Sequence, residues 1–139
     1  MEINEIQEEI IEEFQSLEDW MDKYQLLIDI GNELPPLEEQ YKKPEYLIEG
    51  CQSRVWIHAQ YDGQLITLEA ESDTVIVKGI IALLVRVLSG RTPDEILNAN
   101  LFFIDAIGLK DHLSPTRSNG LVSMIRQINQ YARVFKLRA

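Results

Sequence analysis

The chain has 139 residues, of which 45% are apolar and 26% are charged, and its formal net charge is −10. This length and composition are those of one ordinary soluble domain, and we expect residues 1–139 to form it. The excess of acids argues against nucleic acid as a partner, because phosphate binding needs clustered lysines and arginines. The longest apolar run, 79–85, is far shorter than the roughly 20 residues of a membrane span, so we expect no membrane partner.

Charge is distributed unevenly along the chain. Residues 1–20 carry eight acids and no base, whereas residues 121–139 carry four bases and no acid. Such runs are usually solvated helix faces, although a steered protein–protein contact is the functional alternative. The first residues lack the basic and apolar regions of a signal peptide, and the chain has one cysteine, which together predict a protein of the reducing cytoplasm.

The first third of the chain predicts two amphipathic helices. Apolar residues recur at spacings of three and four over residues 3–17, with glutamates between them. A second stripe covers residues 20–28, and Ser16 with Asp19 resembles the N-cap that precedes it. Gly31 and the two prolines that follow it are expected to end this helix.

The middle of the chain predicts a small antiparallel sheet. Residues 46–48 favour a short strand, and residues 53–61 alternate between apolar and other side chains. Asp62-Gly63 is a strong hairpin signal, and residues 65–70 supply the returning strand.

The rest of the chain predicts helices. Residues 75–88 are apolar almost all round, with Ser72 or Asp73 as the expected cap, so this helix should lie buried against the sheet. Residues 92–95 read as a capping box with proline at the first helical position, and Ser114-Pro115 opens the last helix. The order of elements predicts an α+β fold, with the small antiparallel sheet packed against helices.

Familiar catalytic patterns are absent from the sequence. His58 and His112 lie far apart and have no zinc-ligand spacing, so we expect ordinary histidines and no metal site. No glycine-rich phosphate loop occurs, and no nucleotide cofactor is expected.

The single cysteine, Cys51, remains as a candidate. An isolated cysteine is more often an inert buried thiol than a nucleophile. Here, however, Gly50 allows a tight turn before it and an alternating strand follows it. A free thiol has a pKa of about 8.5, so a reactive cysteine would need an activating environment. The residues alone leave both interpretations open.

Three motifs in order resemble one known family. They are GCQSRVW at 50–56, ESD with IVKGI at 71–80, and HLSPTRSNGL at 112–121. Together they resemble the SufE family of sulfur-acceptor proteins, and the likeness extends over nearly the whole chain.

The resemblance implies a SufE/NifU-like fold and a specific role for Cys51. That residue would accept sulfur from the persulfide of a SufS-like cysteine desulfurase, stimulate that enzyme, and pass the sulfur to a SufBCD-like scaffold that builds iron–sulfur clusters. The chain would be a carrier and activator rather than an enzyme, although it could loosely be classed as a sulfurtransferase. It would need no cofactor of its own, because pyridoxal phosphate belongs to the desulfurase.

The same resemblance suggests roles for residues near the cysteine. Gly50 would give the loop its freedom, while Gln52 and Ser53 could offer hydrogen-bond donors near the sulfur. Arg54, His112 and Arg117 are candidates to stabilise the thiolate or persulfide or to contact the partner. For Arg117, a plain surface position in the first turns of a helix is an equally good interpretation.

Two other functions remain as alternatives. A stand-alone thiol-dependent enzyme would need a base and an orienting group around the cysteine, and the sequence shows neither. An iron–sulfur scaffold of the NifU type would need several cysteine ligands, whereas this chain has one.

Overall fold

The computed structural model describes residues 2–48 and 53–138, so the predictions for Gly50, Cys51 and Gln52 lie outside the described residues. Within those ranges the chain forms helices around one two-stranded antiparallel sheet, which confirms the α+β prediction. The helices are α1 (Ile3–Gln15), α2 (Trp20–Asn32), α3 (Val75–Leu88), α4 (Pro93–Asn98), α5 (Phe103–Ala106) and α6 (Pro115–Arg138). The strands are β1 (Val55–Tyr61) and β2 (Ile66–Ser72). None of the described helices is long and apolar enough to cross a membrane.

The hairpin forms where Asp62-Gly63 predicts it. Antiparallel pairing runs from Val55 opposite Ser72 to Tyr61 opposite Ile66. The Asp62 carboxylate accepts the backbone N–H groups of the two residues after Gly63, at 2.8 and 2.7 Å. Gly63 has φ +95°, a value that favours glycine and closes the turn. The second strand extends to Ser72, two residues beyond its predicted end at Ala70.

Helix α3 forms the centre of the molecule. Nine of its 14 residues are buried, and it packs against β2 and α2. Its N-cap is Thr74, with no side-chain capping bond, so the predicted cap at Ser72 or Asp73 is wrong. Ser72 is still paired in the sheet, and the Asp73 carboxylate is engaged by the backbone N–H of Arg54.

Two glycines let α2 and α3 approach each other closely. A Cβ at Gly31 would lie 2.8 Å from the backbone nitrogen of Gly79. A Cβ at Gly79 would lie 2.8 Å from the carbonyl carbon of Leu27. Backbone atoms cannot move aside as side chains do, so each position excludes a larger residue.

The C-terminal helices follow the local signals closely. At the start of α4, the Thr92 hydroxyl accepts from the Glu95 backbone N–H and the Glu95 carboxylate accepts from the Thr92 backbone N–H, which is the expected capping box. Helix α6 begins at Pro115 as predicted and buries one stripe against the core. Lys136 near its end pairs with Asp94 of α4 at 2.7 Å.

Candidate functional site

Two paired arms bracket the residues that contain Cys51. We call residues 44–48 the entry arm and residues 53–56 the exit arm. The backbone N–H of Ile48 donates to the carbonyl of Val55 at 2.8 Å, and Leu47 forms an antiparallel bridge with Trp56. The strand predicted at 46–48 does not form: Leu47 makes only an isolated bridge, and Tyr46 lies in a 3₁₀ turn that Pro44 begins. Cys51 belongs to the connection between these arms.

The exit arm is fastened to the start of α3. The Arg54 backbone N–H donates to the Asp73 carboxylate at 3.1 Å, and the Asp73 N–H returns a bond to the Arg54 carbonyl at 3.2 Å. The Thr74 hydroxyl lies 2.9 Å from that of Ser53. Sequence reasoning assigned Asp73 to helix capping and missed this role, since nothing local predicts a bond 19 residues away.

An aromatic cluster supports the entry arm from the outer face of the hairpin. Tyr41 stacks on the His58 ring with centroids 3.6 Å apart, and Tyr46 meets that ring edge-on at 5.3 Å. His58 Nδ1 lies 3.2 Å from a Glu69 carboxylate oxygen. Burial raises the pKa of nearby Tyr131, whose hydroxyl donates to the backbone of β1. His58 is thus a packed histidine of the sheet, as the sequence suggested.

A salt bridge fixes the chain just before the entry arm. Lys42 Nζ lies 3.0 Å from Glu71 of β2 and 3.1 Å from Glu39. These carboxylates, Glu71 first, raise the pKa of Lys42 above its ordinary value. The Glu71 carboxylate also accepts a hydrogen bond from the backbone N–H of Leu37 at 3.2 Å. The segment that leads into the site is therefore bound to the sheet at several points.

His112 has structural partners of its own. Its ring stacks on Trp20 with centroids 3.8 Å apart and planes 12° apart. Its Nδ1 lies 3.0 Å from the Gly108 carbonyl, and its own carbonyl accepts from the Tyr24 hydroxyl. These contacts join the turn before α6 to helix α2.

Arg117 is exposed in the first turn of α6, and its backbone N–H donates to the Ser114 hydroxyl at 3.3 Å. Of the other predicted site residues, Ser53 bonds to Thr74 and Arg54 bonds to Asp73, so these four residues form one group. Across the two described ranges, no hydrogen bond or ion pair joins Arg117 or His112 to that group.

Among residues 2–48 and 53–138, two shallow pockets border the arms. The first has a volume of about 440 Å³ and the second about 300 Å³. The first is lined by Pro44, Glu45, Leu47, Ile48, Ser123, Arg126 and Gln127. The second is lined by Lys42, Pro44, Leu47, Arg54 and Trp56. Arg126 is a residue that sequence reasoning placed only in the basic tail of α6, since its proximity to the entry arm depends on how that helix packs.

The architecture defines a class of protein: a small α+β domain with its lone cysteine in the connection between two fastened arms. A solved structure has the same fold. It is the solution structure of a hypothetical protein from Thermus thermophilus, which matches with a TM-score of 0.78 at 22% sequence identity and covers 95% of this chain and 96% of that one. This likeness concerns the fold alone.

Sequence comparison identifies the family. The family model for SufE, described as an Fe-S metabolism associated domain, matches residues 8–132. The chain therefore belongs to the SufE family, whose association is with iron–sulfur metabolism, and the resemblance of the three motifs is confirmed.

Relatives in other organisms agree with this assignment. An uncharacterized SufE-like protein of Rhizobium meliloti is 40% identical over 130 residues, covering 90% of this chain and 93% of its own. A second one, from Rhizobium etli, is 38% identical over 132 residues, covering 91% and 89%. The SufE-like protein 1, chloroplastic/mitochondrial, of Arabidopsis thaliana is 42% identical over 126 residues, covering 90% of this chain. The match spans 34% of the length of that plant protein.

Proposed function

We propose that this protein is a sulfur carrier that accepts sulfur on Cys51 from a SufS-like cysteine desulfurase, stimulates that enzyme, and delivers the sulfur to a SufBCD-like scaffold. Membership of the SufE family, together with the paired arms that flank the only cysteine in the sequence, supports this proposal. Cys51 lies between two arms that are paired at Ile48–Val55 and fastened at Arg54–Asp73. Fixed arms on either side would limit the volume that a reactive sulfur explores and so favour an oriented encounter with a donor.

The transfer needs no oxidant or reductant. The Cys51 thiol loses its proton to solvent, and the thiolate attacks the outer sulfur of the donor persulfide. The sulfur–sulfur bond of the donor breaks as the new one on Cys51 forms, and the donor cysteine leaves as a thiolate that takes up a proton. Delivery to a scaffold thiol repeats the same exchange. One cysteine suits this role, because a second nearby thiol would release the sulfur by forming a disulfide.

Neighbouring groups supply the supporting roles in this proposal. Arg54 and Arg117 are exposed cations that would favour an anionic thiolate or persulfide. Gly50 would give the loop its freedom, and Gln52 and Ser53 would offer hydrogen-bond donors near the sulfur. The contacts of His112 favour a role in positioning the turn before α6. Pyridoxal phosphate and carbon–sulfur cleavage would belong to the desulfurase, and a reducing compartment such as the cytoplasm would keep the thiol available.

Sulfur labelling tests this function. The protein is mixed with a SufS-like desulfurase and cysteine carrying radiolabelled sulfur, and the label on each protein is measured without reducing agent. We expect label on the wild type at Cys51, and release of that label by dithiothreitol. Gln130→Ala, at an exposed position of α6 outside both arms, serves as the control and should still take up sulfur.

The outcome depends on one substitution. Cys51→Ser should take up no sulfur and should fail to stimulate the desulfurase. Normal label and full stimulation with Cys51→Ser would show that the carrier hypothesis is wrong. A cluster-type absorbance after anaerobic iron and sulfide addition would instead favour the scaffold function.

A further inference from the structure

The two pockets beside the entry arm share residues. Pro44 and Leu47 line both of them, so both pockets border the chain that runs toward Cys51. Helix α6 completes the first pocket with Ser123, Arg126 and Gln127. The exit arm completes the second with Arg54 and Trp56. Each pocket thus contains one arginine, and the two arginines come from elements far apart in sequence.

Both arginines are without a carboxylate partner among residues 2–48 and 53–138. Three of the 13 lysines and arginines are held in ion pairs within the described chain: Arg86 with Glu9 and Glu13, Lys42 with Glu39 and Glu71, and Lys136 with Asp94. Glu45 lines the same pocket as Arg126, yet no ion pair forms between them within the described chain. The cations next to the Cys51 connection are therefore available to an outside anion.

An apolar residue lies between the two pockets. Leu47 keeps 38% of its surface exposed, and the partly buried Trp56 is paired with it across the two arms. An apolar and aromatic centre bordered by arginines has the composition of energetically important protein interfaces. Single exposed apolar residues are common, and it is the combination with two unpaired arginines that marks this surface.

We propose that Leu47, Trp56, Arg54 and Arg126 form a docking surface for a carboxylate-bordered apolar patch on the protein that donates sulfur to Cys51. This inference rests on the proposed function. An acidic patch would be repelled by most of a chain whose net charge is −10 and attracted locally by the two arginines. The two arginines would attract the acidic patch while the rest of the acidic surface repels it. The partner would therefore bind with its donor sulfur toward the Cys51 connection.

Charge reversal tests the docking surface. Equilibrium binding of the full chain to a SufS-like desulfurase loaded with pyridoxal phosphate is measured without free cysteine, so that no sulfur moves. We expect Arg126→Glu and Arg54→Glu each to raise Kd about tenfold or more, and wild-type affinity to fall with added salt.

Arg133→Glu is the matched control. Arg133 is exposed on the same face of α6 two turns further on, and it lines neither pocket. The substitution changes the net charge by the same amount as the two test substitutions. Because Arg133 lies away from the proposed surface, salt screens its charge, and we expect its Kd to stay within about twofold of the wild type.

Distinct results separate this inference from the function it rests on. If Cys51 takes up labelled sulfur but all three reversals bind like the wild type at every salt concentration, the docking surface is wrong and the carrier function stands. If Arg133→Glu weakens binding as much as Arg126→Glu, net charge alone governs the association and the pockets have no special part. Failure of Cys51 to take up sulfur would remove the carrier function itself.

Discussion

At the scale of single residues, His112 shows how a motif residue can serve structure. It lies in the HLSPTRSNGL motif and was a candidate to support a persulfide. In the fold its ring stacks on Trp20, and its Nδ1 bonds to the Gly108 carbonyl. The stacking holds the turn that precedes α6 against α2, and the bond to Gly108 fixes the shape of that turn.

Replacing His112 with alanine should therefore lower stability. The substitution removes a stacked aromatic pair and a hydrogen bond to backbone, so we expect a loss of about 1–2 kcal/mol in the free energy of unfolding. Urea denaturation measures it, and Lys110→Ala, an exposed neighbour, is the control. Unchanged stability combined with lost sulfur transfer would instead assign His112 to the chemistry.

At the scale of elements, the α2–α3 pair depends on two glycines. Helices usually pack with their axes about 8–10 Å apart, at distances set by the side chains between them. Here a Cβ at either Gly31 or Gly79 would meet backbone atoms of the other helix. The contact lets backbone rather than side chains form the helix–helix interface.

We expect Gly79→Ala to destabilise the fold by about 3 kcal/mol, since the added methyl group must push two helices apart. The gain in helix propensity, about 1 kcal/mol, is too small to compensate. Thermal unfolding measures the effect, with Lys78→Ala as a control at the adjacent position. A melting temperature equal to or above the wild type would mean that the helices separate easily and that the close contact is not required.

At the scale of the whole molecule, α3 connects the other elements. Buried side chains on several of its faces contact α1, α2, β2 and α6. Two ion pairs then join α1 to this core: Arg86 of α3 binds Glu9 and Glu13 of α1 at 2.7 and 2.5 Å. The acidic first helix, which the sequence suggested to be a solvated face, is thus partly neutralised by the central one.

Leu84→Asp should test this central role. Leu84 is fully buried in α3, and an aspartate there would place a charge without a partner in the core. We expect a loss of several kcal/mol in the free energy of unfolding, measured by denaturant titration. Val122→Asp, on the exposed side of α6, is the control and should have little effect. Equal stability of the wild type and the Leu84 variant would show that α3 is not the centre of the fold.

Elements whose signals are local could be predicted from the residues alone. Asp62-Gly63 closed the hairpin, and the capping box at Thr92 and Glu95 started α4. The apolar run at 75–88 predicted both the bounds of α3 and its burial. The three motifs also sufficed to indicate the family. Such signals depend on residues within a few positions of each other, so the chain alone specifies them.

Contacts between residues distant in sequence could not be predicted, because they depend on how the elements pack. Asp73 is a residue type that often caps helices. Its carboxylate instead accepts the backbone N–H of Arg54, because the paired strands bring the two segments side by side. Gly31 meets Gly79 because α2 crosses α3 at that point, and Arg126 borders the entry arm because α6 packs beside it. Side-chain periodicity predicts that a face is buried without specifying what covers it. The partner of each face is set by how all the elements pack together, which no short stretch of sequence encodes.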